Sequence, residues 1–215
     1  MHLLVHGNRH ATESHGHMLA SPRMYDFTVE VFFLGRRRAS YQALVVAAGI
    51  RPGQRVLDVG CGTGYFSRLI ARTLGPNGVV VGIDQSESMI QYARQKAASI
   101  RNCEFQLGAA EALPAPIDYF DVVVSSLVLH HLPEDVRLRA LEEMLRVLRR
   151  GGGLVVAEAR NPRHGVLGVL ARAHGYDRMA QQVERLDLLA AAAGFGDIRQ
   201  GEVPPWLRNI AAVKN

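Results

Sequence analysis

An α/β fold, with an open and mostly parallel sheet carrying helices on both faces, is predicted by three features of the sequence. The first is an apolar run, Val56, Leu57 and Val59, interrupted only by Asp58. Glycines at alternate positions, Gly60, Gly62 and Gly64, follow it, and then Phe66, Leu69 and Ile70 at helical spacing. That is a buried strand, a tight turn and the start of a helix in one line. The second is that strand-like and helix-like stretches alternate from there to residue 158, which right-handed crossovers turn into a parallel sheet. The third is a pair of strand-like stretches, 196–203 and 207–213, separated by Pro204-Pro205. They predict a C-terminal hairpin that adds one antiparallel strand and brings the sheet to seven.

Taken in order, residues 1–22 hold His2, His6, His10, His15 and His17 among small polar residues, with no zinc-type spacing. They are expected to form a mobile tail without a metal site. Residues 23–215 are expected to form one domain, of which 23–50 make a helical lid with Tyr25, Val29 and Phe32/Phe33 on one face. Arg51-Pro52-Gly53 ends it. After the glycine turn and its helix, residues 79–83 form a second apolar run ending in Asp84. Ser86 is a good N-cap with Glu87 in the first turn, and Met89, Ala93 and Ala97 recur at helical spacing until Asn102. Residues 103–107 and 120–126 are predicted as the third and fourth strands, separated by a loop with one helical turn over 108–114. Glu134 and Asp135 open a helix with an expected stripe of Leu138, Leu141, Leu145 and Leu148. Arg149 and Arg150 suit its C-terminal end and Gly151 its stop. Residues 154–157 form the fifth strand, ending in Glu158. A loop with a short helix over 160–178 and a longer helix over 179–193 precede the hairpin.

With 215 residues, 48% hydrophobic and 21% charged, the chain suits one compact core. No apolar run approaches the roughly 18 residues of a membrane span. Cys61 and Cys103 imply no disulfide framework, so a reduced cytoplasmic protein without membrane insertion is expected. The net charge of +5 is carried mainly by arginine, and its one dense cluster is Arg36-Arg37-Arg38. Such a run is either a solvated helix face or a partner for a phosphorylated or carboxylated acceptor. Arg36 is an acceptor-binding candidate on this ground, and Tyr25 is another because the aromatic face from Tyr25 to Phe33 directly precedes the glycine turn. A nucleic-acid partner is not expected, because no recognition module or interleaved basic-aromatic stripe accompanies the charge.

The spacing of the glycines separates the candidate ligands. A phosphate-binding loop needs a Gly-Lys-[Ser/Thr] ending, and no lysine is present here. A dinucleotide fingerprint needs a third glycine where this chain has Tyr65 or Ser67. A carboxylate such as Asp84, at a strand tip about 20 residues past a glycine turn, is placed to accept both ribose hydroxyls.

The stretches Val56-Leu57-Asp58-Val59-Gly60-Cys61-Gly62-Thr63-Gly64, Gly82-Ile83-Asp84 and Ala110-Glu111-Ala112-Leu113-Pro114 stand together with two more. These are Phe120-Asp121-Val122-Val123 and Leu145-Arg146-Val147-Leu148-Arg149-Arg150-Gly151-Gly152. The set resembles class I S-adenosylmethionine-dependent methyltransferases, and most closely the type 11 group that includes quinone-biosynthesis C-methyltransferases. The resemblance covers roughly residues 23–215 and implies a Rossmann-like fold with S-adenosyl-L-methionine as cofactor. It implies that Gly60, Cys61, Gly62, Thr63 and Gly64 hold the methionine part, with Asp58 bracing the turn. Asp84 would take the ribose, Gln85 and Met89 the adenine side, Ala110 the adenine through its N–H, and Ser126 the sulfonium side. Many relatives have Asp at the position of Ala109, and alanine cannot supply that adenine contact. The expected activity is in-line methyl transfer to a small-molecule acceptor. Methylation of RNA, or cofactor binding without catalysis, are the alternatives. His130 and His131 follow the fourth strand, and either is a candidate general base or simply part of a turn into the next helix.

Overall fold

The computed structural model describes residues 21–160 and 185–215. Residues 1–20 of the tail expected over 1–22, most of the 160–178 loop and the start of the helix expected over 179–193 lie outside these residues, while Ser21 and Pro22 already belong to the start of the first helix. Two helices come first, α1 (Pro22–Phe32) and α2 (Arg37–Ala47). Then follow β1 (Arg55–Val59), α3 (Tyr65–Leu74), β2 (Val79–Asp84), α4 (Glu87–Lys96), β3 (Cys103–Leu107) and β4 (Phe120–Ser126). The chain continues through α5 (Glu134–Val147), β5 (Leu148–Ala159), α6 (Leu186–Ala192), β6 (Gly196–Val203) and β7 (Leu207–Val213).

The seven strands form one sheet in the order β3-β2-β1-β4-β5-β7-β6. All neighbours are parallel except β7, which runs antiparallel to both β5 and β6. This is the Rossmann-like sheet with one antiparallel strand that the sequence predicts. The strand order reverses between β1 and β4, and a crevice at the carboxyl ends of such strands is where open α/β sheets bind ligands.

Alternation along the strands divides the core in two. Val56, Val80, Val122, Val124 and Val155 face a cluster built with Leu44 of α2, Phe66 and Ile70 of α3 and Ile90 of α4. Leu57, Val59, Val81, Val123 and Val156 face the other cluster, with Leu141 and Met144 of α5 and Leu186 of α6. Strands buried on both faces read as continuous apolar runs, which is why β1, β2 and β4 were plain in the sequence. The Asn102 side chain ties α3 down by donating to the carbonyls of Ala71 and Gly75 at 2.9 and 2.8 Å.

The helical lid consists of two helices, separated where Leu34 and Gly35 take φ of 52° and 71°. Three local expectations need correction. The 108–114 loop contains no helical turn and is closed by an isolated bridge between Ala109 and Ala112. The buried face of α5 is Arg137, Ala140, Leu141, Met144 and Val147, while Leu138 and Leu145 are only half-buried at its margin. Finally, β5 begins at Leu148 with no intervening loop, so Arg149, Arg150 and Gly151 are strand residues and not the end of α5. Pairing of Phe120 with Leu148 and an ion pair from Arg149 to Asp121 at 2.8 Å hold that early part of β5 on β4.

Candidate active site

The glycine turn joins β1 to α3 at the carboxyl edge of the sheet. Gly60 and Gly62 have φ of 73° and 51°, which residues with a Cβ rarely adopt. A Cβ on Gly60 would lie 2.3 Å from the Val128 side chain, so this glycine lets the turn after β4 pack against the turn after β1. A Cβ on Gly62 would meet only Tyr25, at 3.7 Å. Gly64, with Phe105 at 2.5 Å from its Cβ position, is a packing glycine facing α4 and β3.

Asp84 fastens the turns after β1 and β2 together. One carboxylate oxygen accepts from the Gly62 N–H at 2.9 Å, and the other from the Ser86 N–H at 2.9 Å. Ser86 in turn caps α4 by accepting from the Met89 N–H, which fixes Gln85 and Met89 beside the carboxylate. Beneath the turn, the buried Asp58 carboxyl accepts from the Ser67 hydroxyl of α3. Burial pushes its pKa up to about 7, with the Asp84 charge adding to the rise and the Ser67 hydrogen bonds opposing it. Burial, with Asp58 and Asp84 nearby, also drives the Cys61 thiol well above its ordinary value, so it is no nucleophile at neutral pH.

The lid closes this edge. Asp26 of α1 accepts from the Thr63 hydroxyl at 2.7 Å and from Arg37 Nη1 at 3.0 Å, joining α1, α2 and the glycine turn at one carboxylate. Arg37 is 4% exposed, and its guanidinium lies 3.9 Å over the Tyr65 ring. Its Nε, with Ser126 Oγ, is among the few buried side-chain polar atoms of the described residues that lack a hydrogen-bond partner.

Among the described residues this edge holds two cavities, and Tyr25 and Gly60 line both. The larger, about 190 Å³, also brings together Gly62, Asp84, Gln85, Met89, Ala110 and His131. The smaller, about 20 Å³, is lined by Arg37, Tyr41, Asp58, Cys61, Thr63 and Ser126 among others. Of the residues expected at the site, Gly64, Ala109, His130 and Arg36 line neither cavity. Arg36 is exposed, and the arginine that reaches the site is its neighbour Arg37. The sequence carries a signal for this, since Arg37 shares the face of Tyr41, Leu44 and Val45 on α2.

The turn after β4 is held from behind. Glu158, wholly buried at the end of β5, accepts from the N–H groups of Val128 and Leu129 at 3.1 and 2.7 Å. Its other oxygen lies 2.6 Å from His130 Nδ1. Arg137 Nε donates to the carbonyls of Leu129 and Leu132, both at 2.9 Å. His130 is thereby turned inward, and His131, with its ring centroid 3.9 Å away, faces the larger cavity. Packing around the imidazole and the adjacent His130 push His131 down to about 4, against a smaller opposing pull from Glu158, although part of the ring meets solvent. Among the described residues, no group of three or more His, Cys, Asp or Glu side chains converges as a metal site would require.

The profile of a family described as a methyltransferase domain matches residues 50–209. Demethylmenaquinone methyltransferase of Staphylococcus aureus is 34% identical over 140 residues, which is 65% of this chain and 57% of that protein. The match therefore spans less than two thirds of the length of the curated relative. A SAM-dependent methyltransferase from Aquifex aeolicus has the same fold, with a TM-score of 0.68 at 23% identity over 81% of this chain and 89% of that one. So does phosphoethanolamine N-methyltransferase 2 of Haemonchus contortus, solved with S-adenosyl-L-methionine, with a TM-score of 0.66 at 18% identity over 82% of this chain and 52% of that one. The chain belongs to the methyltransferase-domain family.

Proposed function

We propose that this enzyme methylates a small-molecule acceptor at the carboxyl edge of β1 and β4, beneath the lid formed by α1 and α2. The observation that carries the reading is the lining of the smaller cavity, which brings a buried guanidinium and a carboxyl group to one small space. Arg37, paired with Asp26 through Nη1, keeps its Nε without a hydrogen-bond partner there, Ser126 Oγ lies beside the Tyr41 hydroxyl, and Asp58 lines the same space beneath the glycine turn. The chemistry of that lining suits an α-amino acid zwitterion, with its carboxylate toward Arg37 and its ammonium toward Asp58. At about 20 Å³ the space as it stands holds about one water, so the match is one of chemistry and not of volume. The methionine part of S-adenosylmethionine is such a zwitterion. Asp84, Gln85, Met89 and Ala110 line the larger cavity and would take the ribose and adenine. Thr63 lines the same space as Arg37 and Asp58, with its hydroxyl donating to Asp26.

When bound, S-adenosylmethionine supplies an already activated methyl carbon. The residues of this chain have to align the acceptor with it and keep water out. Tyr25, which lines both cavities, and the α1–α2 lid are placed to do both. His131 is the nearer of the two histidines to the larger cavity and stays a neutral imidazole at neutral pH, able to accept a proton from the acceptor. His130 is engaged with Glu158 and positions its neighbour. The Staphylococcus relative, named for a quinone precursor, supports a small aromatic acceptor, and two free buried cysteines support a cytoplasmic setting.

Calorimetry with S-adenosylmethionine and its demethylated product tests the cofactor site. Asp84→Ala is expected to weaken both strongly while the protein stays folded, since one ionised carboxylate carries the ribose contacts. Labelled methyl groups are expected in the organic phase of a cell extract. Label confined to the nuclease-sensitive fraction would overturn the small-molecule reading.

A further inference from the structure

We infer that α1 docks on the surface of an anionic lipid bilayer through its outward face. The inward face of this helix is accounted for by Tyr25, Val29 and Phe32, which pack on the core. Its outward face is apolar as well. Met24, Phe27 and Val31 are 57%, 66% and 56% exposed, and Leu34 just beyond the helix is 56% exposed. Spacings of three and four residues put Met24, Phe27 and Val31 on one stripe of the helix. The remaining exposed large apolar side chains, such as Leu107, Ile117 and Leu188, are scattered over other elements. Single exposed apolar residues need no explanation, but a contiguous stripe marks an interaction surface.

Charge selects the occupant. Arg23, Arg36 and Arg38 flank the stripe in sequence and are all exposed, against one exposed carboxylate between them, Glu30. Asp26 is already engaged with Arg37 and Thr63. An apolar stripe flanked by arginine fits the boundary between acyl chains and anionic headgroups, with the helix lying in the plane of the surface. Eleven residues are far too few to cross a bilayer. A second copy of this chain would suit the face less well, because a two-fold contact brings the same arginines against one another. The inference goes further on the proposed function. The helix that meets the lipid also presents Tyr25 to the cofactor cavity, so the acceptor would be an amphiphile collected from the bilayer.

Flotation of the full chain with vesicles of phosphatidylcholine, with and without one quarter phosphatidylglycerol, tests the docking. The wild type is expected to float with the anionic vesicles, several-fold less with the neutral ones, and less again in high salt. The double variant Phe27→Ser/Val31→Ser is expected to stay at the bottom while binding S-adenosylmethionine as the wild type does. Should that variant unfold, Arg36→Gln/Arg38→Gln is expected to lose the preference for anionic vesicles. A wild type that ignores both vesicles, or variants that float unchanged, would overturn the docking. So would light scattering that shows a wild-type dimer converted to monomer by Phe27→Ser/Val31→Ser. Flotation without any S-adenosylmethionine binding would instead count against the cofactor site and leave the docking standing.

Discussion

Glu158 and His130, on β5 and in the turn after β4, meet at 2.6 Å with both side chains almost wholly buried. The same carboxylate takes two backbone N–H groups, so a single side chain holds the Val128–Leu129 turn against the glycine turn. Removing it strands several polar groups inside the protein. Glu158→Ala is expected to destabilise the protein in urea unfolding by about 1–3 kcal/mol for each buried donor it leaves unpaired. Glu158→Gln should cost less, because an amide oxygen can still accept from Leu129. Equal losses in the two variants would mean that the charge, and not the acceptor geometry, is what matters.

His131 separates two mechanisms. A histidine held near 4 is neutral across the physiological range, so turnover is expected to be flat between about pH 6 and 8 and to fall only as the imidazole charges in acid. A base with so low a pKa pulls weakly on a proton. His131→Gln is therefore expected to lower turnover by less than tenfold, against the about 10²–10⁴-fold of a committed general base. A rise in wild-type turnover through neutrality that disappears in the variant would show that His131 is the base after all.

Arg37 is expected to recognise the carboxylate end of the cofactor. Calorimetry with S-adenosylmethionine and with 5′-methylthioadenosine, which lacks the amino acid, isolates that contribution. Arg37→Met should weaken the first by about 1.5–3 kcal/mol, the usual worth of a hydrogen bond to a charged group, and change the second far less. Equal weakening of both ligands would reduce Arg37 to a lid-packing residue.

Asp58 gives a stability signature of definite sign. Its folded pKa, near 7, lies above its ordinary value, so the folded state binds this proton more tightly than the unfolded chain does. Its contribution is fully present below about pH 4 and is lost as pH rises through about 7. Asp58→Asn removes the titration. Relative to that variant, the wild type is expected to lose melting temperature between about pH 4 and 7. A constant difference across that range would mean that the carboxyl is ionised throughout.

The sheet and the glycine turn were legible because each is written in contiguous residues. Strands β1, β2 and β4 are short apolar runs, Asp84 ends one of them, and Gly60, Gly62 and Gly64 punctuate the turn. What was not legible depends on distant partners. Arg37 is a charge inside an arginine cluster, and a charge reads as surface until Asp26 and Tyr65 are known to surround it. Glu158 looks like the polar end of a strand, and nothing local shows that the turn after β4 comes back to it. The early start of β5 was hidden in the same way. Its Arg-Arg-Gly sequence suits the end of a helix, and only pairing with β4 makes it strand.

The shared carboxylate of Asp26 couples the cavity to the lid. It fastens α1 to the glycine turn through Thr63 and to α2 through Arg37, so the arginine facing the small cavity is also the anchor of the helix above it. Whatever engages Arg37 from inside the cavity changes the grip on α1 by the same free energy with which α1's position changes its binding. Such a coupling is symmetric and sets no order of arrival. The Kd of each ligand is expected to shift by the same factor when the other is bound, and equal values with and without it would show that the carboxylate transmits nothing.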